Sequence, residues 1–351
     1  MYKLLDWLQP HIDKLDGDYL SMNPNAISLL EQHPEKISWY WLANNPNALS
    51  ILEKYPDKIK WIQLSRNLNA MFLLEKYPEK IDGLNLSTNT SPWAIDLLER
   101  NMDKINWNWL SKNPNPLAIR LLEKNINKIN WYELSSNPSP LAIRLLEKYM
   151  NTIHWYKFNW HELSRNPNAI SLLEKHPEKI DWGYLSLNPN PLAIHLLEKN
   201  IHRISWFCLS SNPSPFAIYI LEKHPDKIDW EQLSFNLSPF AISLLEKHPE
   251  KINWIGFSSN PNALSLLEKN IDKINWTNLC KNTNPLALRI LEKHQDKIIW
   301  CELSRNPNIF TLDYDWLKKR MDILREELMV KVWHPSRIAR YLEQGMDLED
   351  L

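Results

Sequence analysis

Histidine is the side chain best suited to general acid–base work or metal ligation near neutral pH, and this chain places five of them in one recurring slot. His33, His176, His224, His248 and His294 each close an apolar helical segment, directly after Glu-Lys or Glu-Gln. A general base or metal ligand cannot be exchanged for an unrelated side chain and still act. Yet Tyr55, Tyr77, Asn101, Asn125 and Asn200 hold the same slot in other segments. The histidines therefore read as helix-end residues. Cys208, Cys280 and Cys301 are far apart and lack metal-ligand spacing. The chain has only five glycines and no glycine-rich phosphate loop, and no nucleophile motif or carboxylate cluster is present. The expectation is a non-enzymatic protein with no cofactor and no metal.

The elements that carry these residues follow a strict period. Trp39, Trp61, Trp107, Trp131, Trp182, Trp206, Trp230, Trp254, Trp276 and Trp300 each open the phrase Trp-x-x-Leu/Phe-x-x-Asn, in most units Trp-x-x-Leu-Ser-x-Asn. Most successive slots are 22 or 24 residues apart, a period that signals stacked units burying a continuous core. In the unit around Asn115, the residues Ala118, Ile119, Leu121 and Leu122 form one helical face, with Arg120, Glu123 and Lys124 left for solvent. Asn115 is a helix N-cap, Pro116 suits the first helical turn, and Asn125, tolerant of the left-handed conformation, ends the helix. Trp and Leu three apart suit a second, shorter helical element capped by the residue before Trp. The reading is an all-α solenoid of about 12 two-helix repeats. The alternative is a leucine-rich-repeat-like α/β horseshoe, because the recurring Asn resembles the asparagine ladder of those proteins.

Asn113, Asn137, Asn188 and Asn212 belong to a column of asparagines, one per turn. One amide can donate and accept at once, so the column is expected to tie each turn to the next. Residues 1–14 read as an N-terminal cap, 15–312 as the solenoid and 313–351 as a helical C-terminal cap or docking module stopping near Gly345, with an acidic end. The array is expected to run on the order of 110 Å along its curve.

Two places break the phrase. Gly83 stands in a Trp slot while Trp93 appears nearby, which suggests that Trp93 refills the vacated core volume. The segment 154–160, with Trp155, Tyr156, Phe158 and Trp160, holds five extra residues and a duplicated Trp, and reads as a local aromatic kink or bulge.

Specificity must come from positions that vary between units. Arg120, Arg144, His195, Tyr219 and Arg289 lie in the variable slot of the longer helix, and with Tyr156, Phe158 and Trp160 they are the candidate partner-binding residues. Net charge is −1, with acids and bases interleaved, so neither nucleic acid nor membrane is an expected partner. Binding to RNA by helical repeats is the weaker alternative. The early charges and lack of an apolar run at Met1-Tyr2-Lys3-Leu4-Leu5-Asp6 argue against a signal peptide, so a monomeric cytoplasmic protein is expected.

The motif Trp-x-x-Leu-Ser-x-Asn-Pro-Asn-Ala-Ile-x-Leu-Leu-Glu-Lys resembles the Asn-Pro-rich short repeats of giant DNA viruses of amoebae (mimivirus-like). The segment Glu326-Glu327-Leu328-Met329 followed by Trp333-His334-Pro335-Ser336-Arg337 resembles a closing segment of such proteins. More distantly, the repeat is similar to the leucine-rich variant repeat of alternating α and 3₁₀ helices. The resemblance implies a viral protein that binds a host factor in the host cytoplasm, or alternatively a structural or virion-associated component.

Overall fold

The computed structural model describes residues 2–343. Gly345 and the acidic end, and the side chains of Trp155 and Leu342, lie outside that description. The chain is an all-α array of repeated short helices, and the only strands among the described residues are β1 (Tyr2–Leu4) and β2 (Phe310–Leu312). No described helix is long and apolar enough to cross a membrane.

Each unit has three elements where the sequence suggested two. In one unit they are the helices Trp107–Lys112 and Pro116–Lys124 and a 3₁₀ turn, Ile126–Lys128. The caps are those expected: the Asn106 side chain accepts from the Trp109 N–H at 3.2 Å, and that of Asn115 from the Leu117 N–H at 2.8 Å. The 3₁₀ turn is not legible in the sequence because three residues have no apolar periodicity, so Pro-Glu-Lys reads only as a helix stop. Nor is Asn125 left-handed. Its φ is −128°, and its amide instead donates to the Leu121 carbonyl at 2.9 Å.

The fully enclosed residues are the Leu three after the Trp slot and the Ala and last Leu of the longer helix, such as Leu110, Ala118 and Leu122 at 0% exposure. The tryptophans flank this core. Trp131 is buried, whereas Trp39, Trp61, Trp107, Trp160, Trp182, Trp206, Trp230, Trp254, Trp276 and Trp300 are half-buried against it. Their rings pack on the residue that ends the longer helix, as in Trp206–His224 (5.2 Å), Trp230–His248 (5.0 Å) and Trp61–Tyr77 (5.1 Å). That gives the recurring His/Tyr slot its physical role.

Asparagines hold successive units together. The side-chain amide of Asn188 donates to the carbonyls of Ser164 (2.9 Å) and Asn166 (3.0 Å), while its Oδ1 accepts from the Asn190 N–H (3.0 Å). Asn212 repeats this on Ser186 and Asn188, and Asn137 on Ser111 and Asn113. The Ser of the phrase adds a second tie, since the next unit's cap N–H donates to its hydroxyl, as from Asn130 to Ser111 at 3.1 Å.

The ladder has no ends. Asn23, the first of the column, donates to the carbonyls of Ser304 (3.2 Å) and Asn306 (3.1 Å), the last turn of the array. The Asp16 N–H donates to the Ser304 hydroxyl at 2.8 Å, as the Asp82 N–H does to the Ser65 hydroxyl of its own predecessor at 3.1 Å. β1 pairs antiparallel with β2, placing Lys3 opposite Thr311. The array is therefore a closed ring of thirteen turns, from Asn23 through Asn306 and back.

The thirteenth unit is split between the two ends of the sequence. Trp300–Ser304 supplies its short helix, and residues 2–15 supply the rest. Leu4, Leu8 and Leu15 are buried there beside Ile309 and Phe310. His11 takes the helix-end slot, 4.9 Å from Trp300. Residues 2–15 are thus the missing half of a repeat and not a separate cap.

Closure also orients the layers. Neighbouring Trp helices are tied by side chains as short as Asn, such as Asn278 to the Ile255 carbonyl at 2.8 Å. Lys–Glu pairs bridge neighbours in both layers, as Lys112–Glu133 and Lys148–Glu123 do, but the backbones of neighbouring Trp helices approach each other more closely than those of neighbouring longer helices. In a closed ring the more tightly spaced layer occupies the smaller circumference, so the Trp helices face inward. With a packing distance of about 8–10 Å per unit and a helix about 10–12 Å thick, the central opening is on the order of 25 Å across.

The tail helix Tyr314–Val332 has no buried residue. The last unit's apolar face, which a cap at 313–351 would cover, is occupied by the first unit and residues 2–15.

Trp93 does not fill the space left by Gly83, for it is 70% exposed. A side chain at Gly83 would run into the backbone carbonyl of Lys104, and one at Gly17, another Trp slot, into that of Lys36. In these units the 3₁₀ turn itself closes over the slot. Gly83→Ala should therefore destabilise by about 1–3 kcal/mol through overpacking, and Trp93→Ala by under about 0.5 kcal/mol. Urea unfolding of both variants checks this, and the reverse ranking would contradict it.

Candidate partner-binding grooves

The outer belt consists of the longer helices, which splay apart because they lie on the larger circumference. Between neighbours runs a groove bordered by the variable slot of one unit and the second helical residue of the next. Arg120 and Arg144 share such a groove with Ile119, Glu123, Leu141 and Lys148, enclosing about 280 Å³. His195 and Tyr219 hold the variable slots of successive units and are exposed, and Arg289 borders a further groove with Glu268, Glu292 and His294.

The 154–160 candidates lie elsewhere. Tyr156 is exposed near the 3₁₀ rim, stacked on His154 at 5.3 Å. Phe158 is only 4% exposed and sits between Trp131 (6.4 Å) and Trp160 (6.2 Å). It is not a surface anchor. Phe158 takes the place that Ile129 or Ile180 holds two residues before the Trp slot, and Trp160 takes the slot itself, with Asn159 as its cap. The five extra residues are 150–154, inserted after the helix Pro140–Tyr149. Phe158→Ala should cost about 3–5 kcal/mol as a core truncation, measured by thermal or urea unfolding. A loss under about 1 kcal/mol would contradict this placement.

The belt's electrostatics are mostly self-compensated. Lys124–Glu99 (3.1 Å), Lys148–Glu123 (2.8 Å), Lys223–Glu198 (3.5 Å) and Lys247–Glu222 (3.2 Å) form a staircase from unit to unit. These exposed pairs contribute little stability, but they remove free charge from the surface. Arg120 and Arg144 stand outside the staircase, exposed and without an ion-pair partner among the described residues. No family model, curated protein or solved structure matches the chain. The grooves must be read from their own chemistry.

Among the described residues no group of three or more His, Cys, Asp or Glu could hold a metal. Burial pushes the Cys280 thiol up to about 11, far from a reactive thiolate. The inward face is less charged than the belt and carries Tyr40, Ile62, Trp109, Tyr132, Tyr184 and Phe207, all exposed. What the sequence did not disclose is how far the grooves between neighbouring variable slots open, because that depends on the ring's curvature.

Proposed function

We propose that the protein is a non-enzymatic ring scaffold that binds a partner protein in the grooves of its outer belt. The supporting observation is the Arg120/Arg144 groove. It holds two exposed guanidiniums whose neighbouring carboxylate, Glu123, is already engaged by Lys148. Arginine's planar fork suits bidentate capture of carboxylates, so the partner presents an acidic patch. In the viral setting implied by the repeat resemblance, that partner is a host factor in the cytoplasm and the ring acts as a monomer. The paired Lys–Glu staircase offers no basic stripe for nucleic acid, which would need one.

Affinity capture with the intact protein and with Arg120→Glu/Arg144→Glu tests the reading. Both positions are exposed, so the unfolding midpoint should stay put. A partner recovered by the parent and lost by the variant supports the groove. Equal recovery by both moves the site elsewhere, and no reproducible partner rejects the scaffold role.

A further inference from the structure

Departures from the repeat converge on one groove of the belt, between the helices Met71–Lys76 and Pro92–Arg100. Phe72 occupies the variable slot and Trp93 the second helical position of the next unit, where Leu or Phe is usual. Arg100 replaces the Lys of the staircase, and Gly83 replaces the Trp between the two helices. Phe72 and Trp93 are 65% and 70% exposed, and with Asn69, Met71, Glu75, Asp96 and Arg100 they enclose about 280 Å³.

Charge decides what fits. Arg100 Nη2 lies 2.6 Å from Glu75 Oε1 and 2.7 Å from Asp96 Oδ2, so one guanidinium is shared by two carboxylates. The cleft is left with one negative charge in excess. An anionic group would meet that surplus, and Arg100 is already engaged. A cation meets two aromatic faces and the remaining carboxylate oxygens. Cation–π attraction is strongest at Trp, and a planar guanidinium stacks on aromatic faces while its N–H fork matches carboxylates.

We infer that the Phe72/Trp93 cleft binds an arginine side chain of a basic segment on a partner protein. The inference deepens the scaffold reading, since it places a basic anchor about two units away from the groove that takes an acidic patch. A partner carrying both charges would then be held in one orientation along the belt.

The test uses the full-length protein with ¹⁵N-tryptophan, the indole signal of Trp93 being assigned through Trp93→Phe. The probes are acetyl-Gly-Arg-Gly-amide and the same peptides with citrulline, which is isosteric and neutral, with leucine, or with glutamate. The arginine peptide should shift the Trp93 signal and bind at least about fivefold more tightly than the citrulline peptide, a ratio within the range of an exposed cation–π contact. Trp93→Ala, at an exposed position, should keep its unfolding midpoint and lose this binding, read from the peptide's own relaxation. Arg120→Glu/Arg144→Glu should bind the peptide like the parent, which separates this inference from the proposed acidic-patch groove. Equal binding of arginine and citrulline, preference for leucine or glutamate, or no shift at all would overturn it.

Discussion

Replacing Asn188 by alanine is expected to destabilise the protein by about 3–6 kcal/mol, although the side chain removed is small and polar. Asn188 is fully enclosed and satisfies three backbone groups at once, the carbonyls of Ser164 and Asn166 and the Asn190 N–H. Alanine leaves all three without their partner, and each buried backbone group left unpaired costs about 1–3 kcal/mol. Leucine should be no better, because it restores volume without any hydrogen bond. Aspartate keeps the acceptor for Asn190 but sets a carboxylate against two carbonyl oxygens, so it should be at least as damaging as alanine. Chemical unfolding of the three variants measures this. A loss under about 1 kcal/mol for Asn188→Ala would mean that water or a shifted backbone replaces the amide, and that the ladder is not what joins the units.

Removing residues 2–15 should have a larger effect of a different kind. Leu4, Leu8 and Leu15 are each at most 2% exposed in the split unit, and truncating one buried leucine costs about 2–5 kcal/mol. Their joint loss approaches the whole stability of an ordinary domain, about 5–15 kcal/mol. The deletion also frees the apolar face of the thirteenth unit and leaves the seam to the polar bonds of the retained residues, such as those of Asn23 to the Ser304 and Asn306 carbonyls, which are expected to open without that apolar support. Two unlike surfaces that fit each other then lie at opposite ends of one molecule, and such pairing between copies does not close on itself. The shortened chain should therefore associate with rising concentration in sedimentation experiments and unfold at a lower midpoint. A monodisperse monomer with an unchanged midpoint would show that residues 2–15 contribute nothing to closure.

Much of one unit was legible from residue types, since its chemistry is local. Asn106 and Asn115 as caps, Pro116 in the first turn and the Ala118–Leu122 face all follow from spacing alone. The asparagine column was legible too, because every unit repeats it. The ring was harder. Its clue was present, for Pro10-His11-Ile12-Asp13-Lys14-Leu15 matches Lys269-Asn270-Ile271-Asp272-Lys273-Ile274, so each end of the sequence carries half a repeat. Whether the halves meet depends on curvature, about 28° per unit for thirteen units, and small per-unit rotations of this kind accumulate along a solenoid. That angle arises from the spacing difference between two layers, which no single residue encodes.

The candidate residues divided in the same way. Arg120, Arg144, His195, Tyr219 and Arg289 are exposed because the helical period fixes which face they occupy. Phe158 was misplaced because Trp155, standing first, looks like the frame residue. Only the stacking shows that Trp160 holds the slot and that Phe158 does the work of an isoleucine. Trp93 was misassigned for a related reason: a missing ring in one place and an extra ring nearby suggest exchange, yet the Gly83 slot is filled by the Lys104 backbone.

Closure is most directly tested by a disulfide across the seam. Lys3 and Thr311 are direct partners of the β1–β2 pair, and the Cα separations of antiparallel partners, about 4.5–5.5 Å, lie within the range a disulfide spans. Lys3→Cys/Thr311→Cys would be placed in a background where Cys208, Cys280 and Cys301 are serine, the residue that most units already carry at the position of Cys280. Under mild oxidation, the ring predicts rapid and nearly complete cross-linking within one chain, seen as a mobility shift on a non-reducing gel that is independent of protein concentration. No cross-link, or one formed only between chains, would contradict the ring.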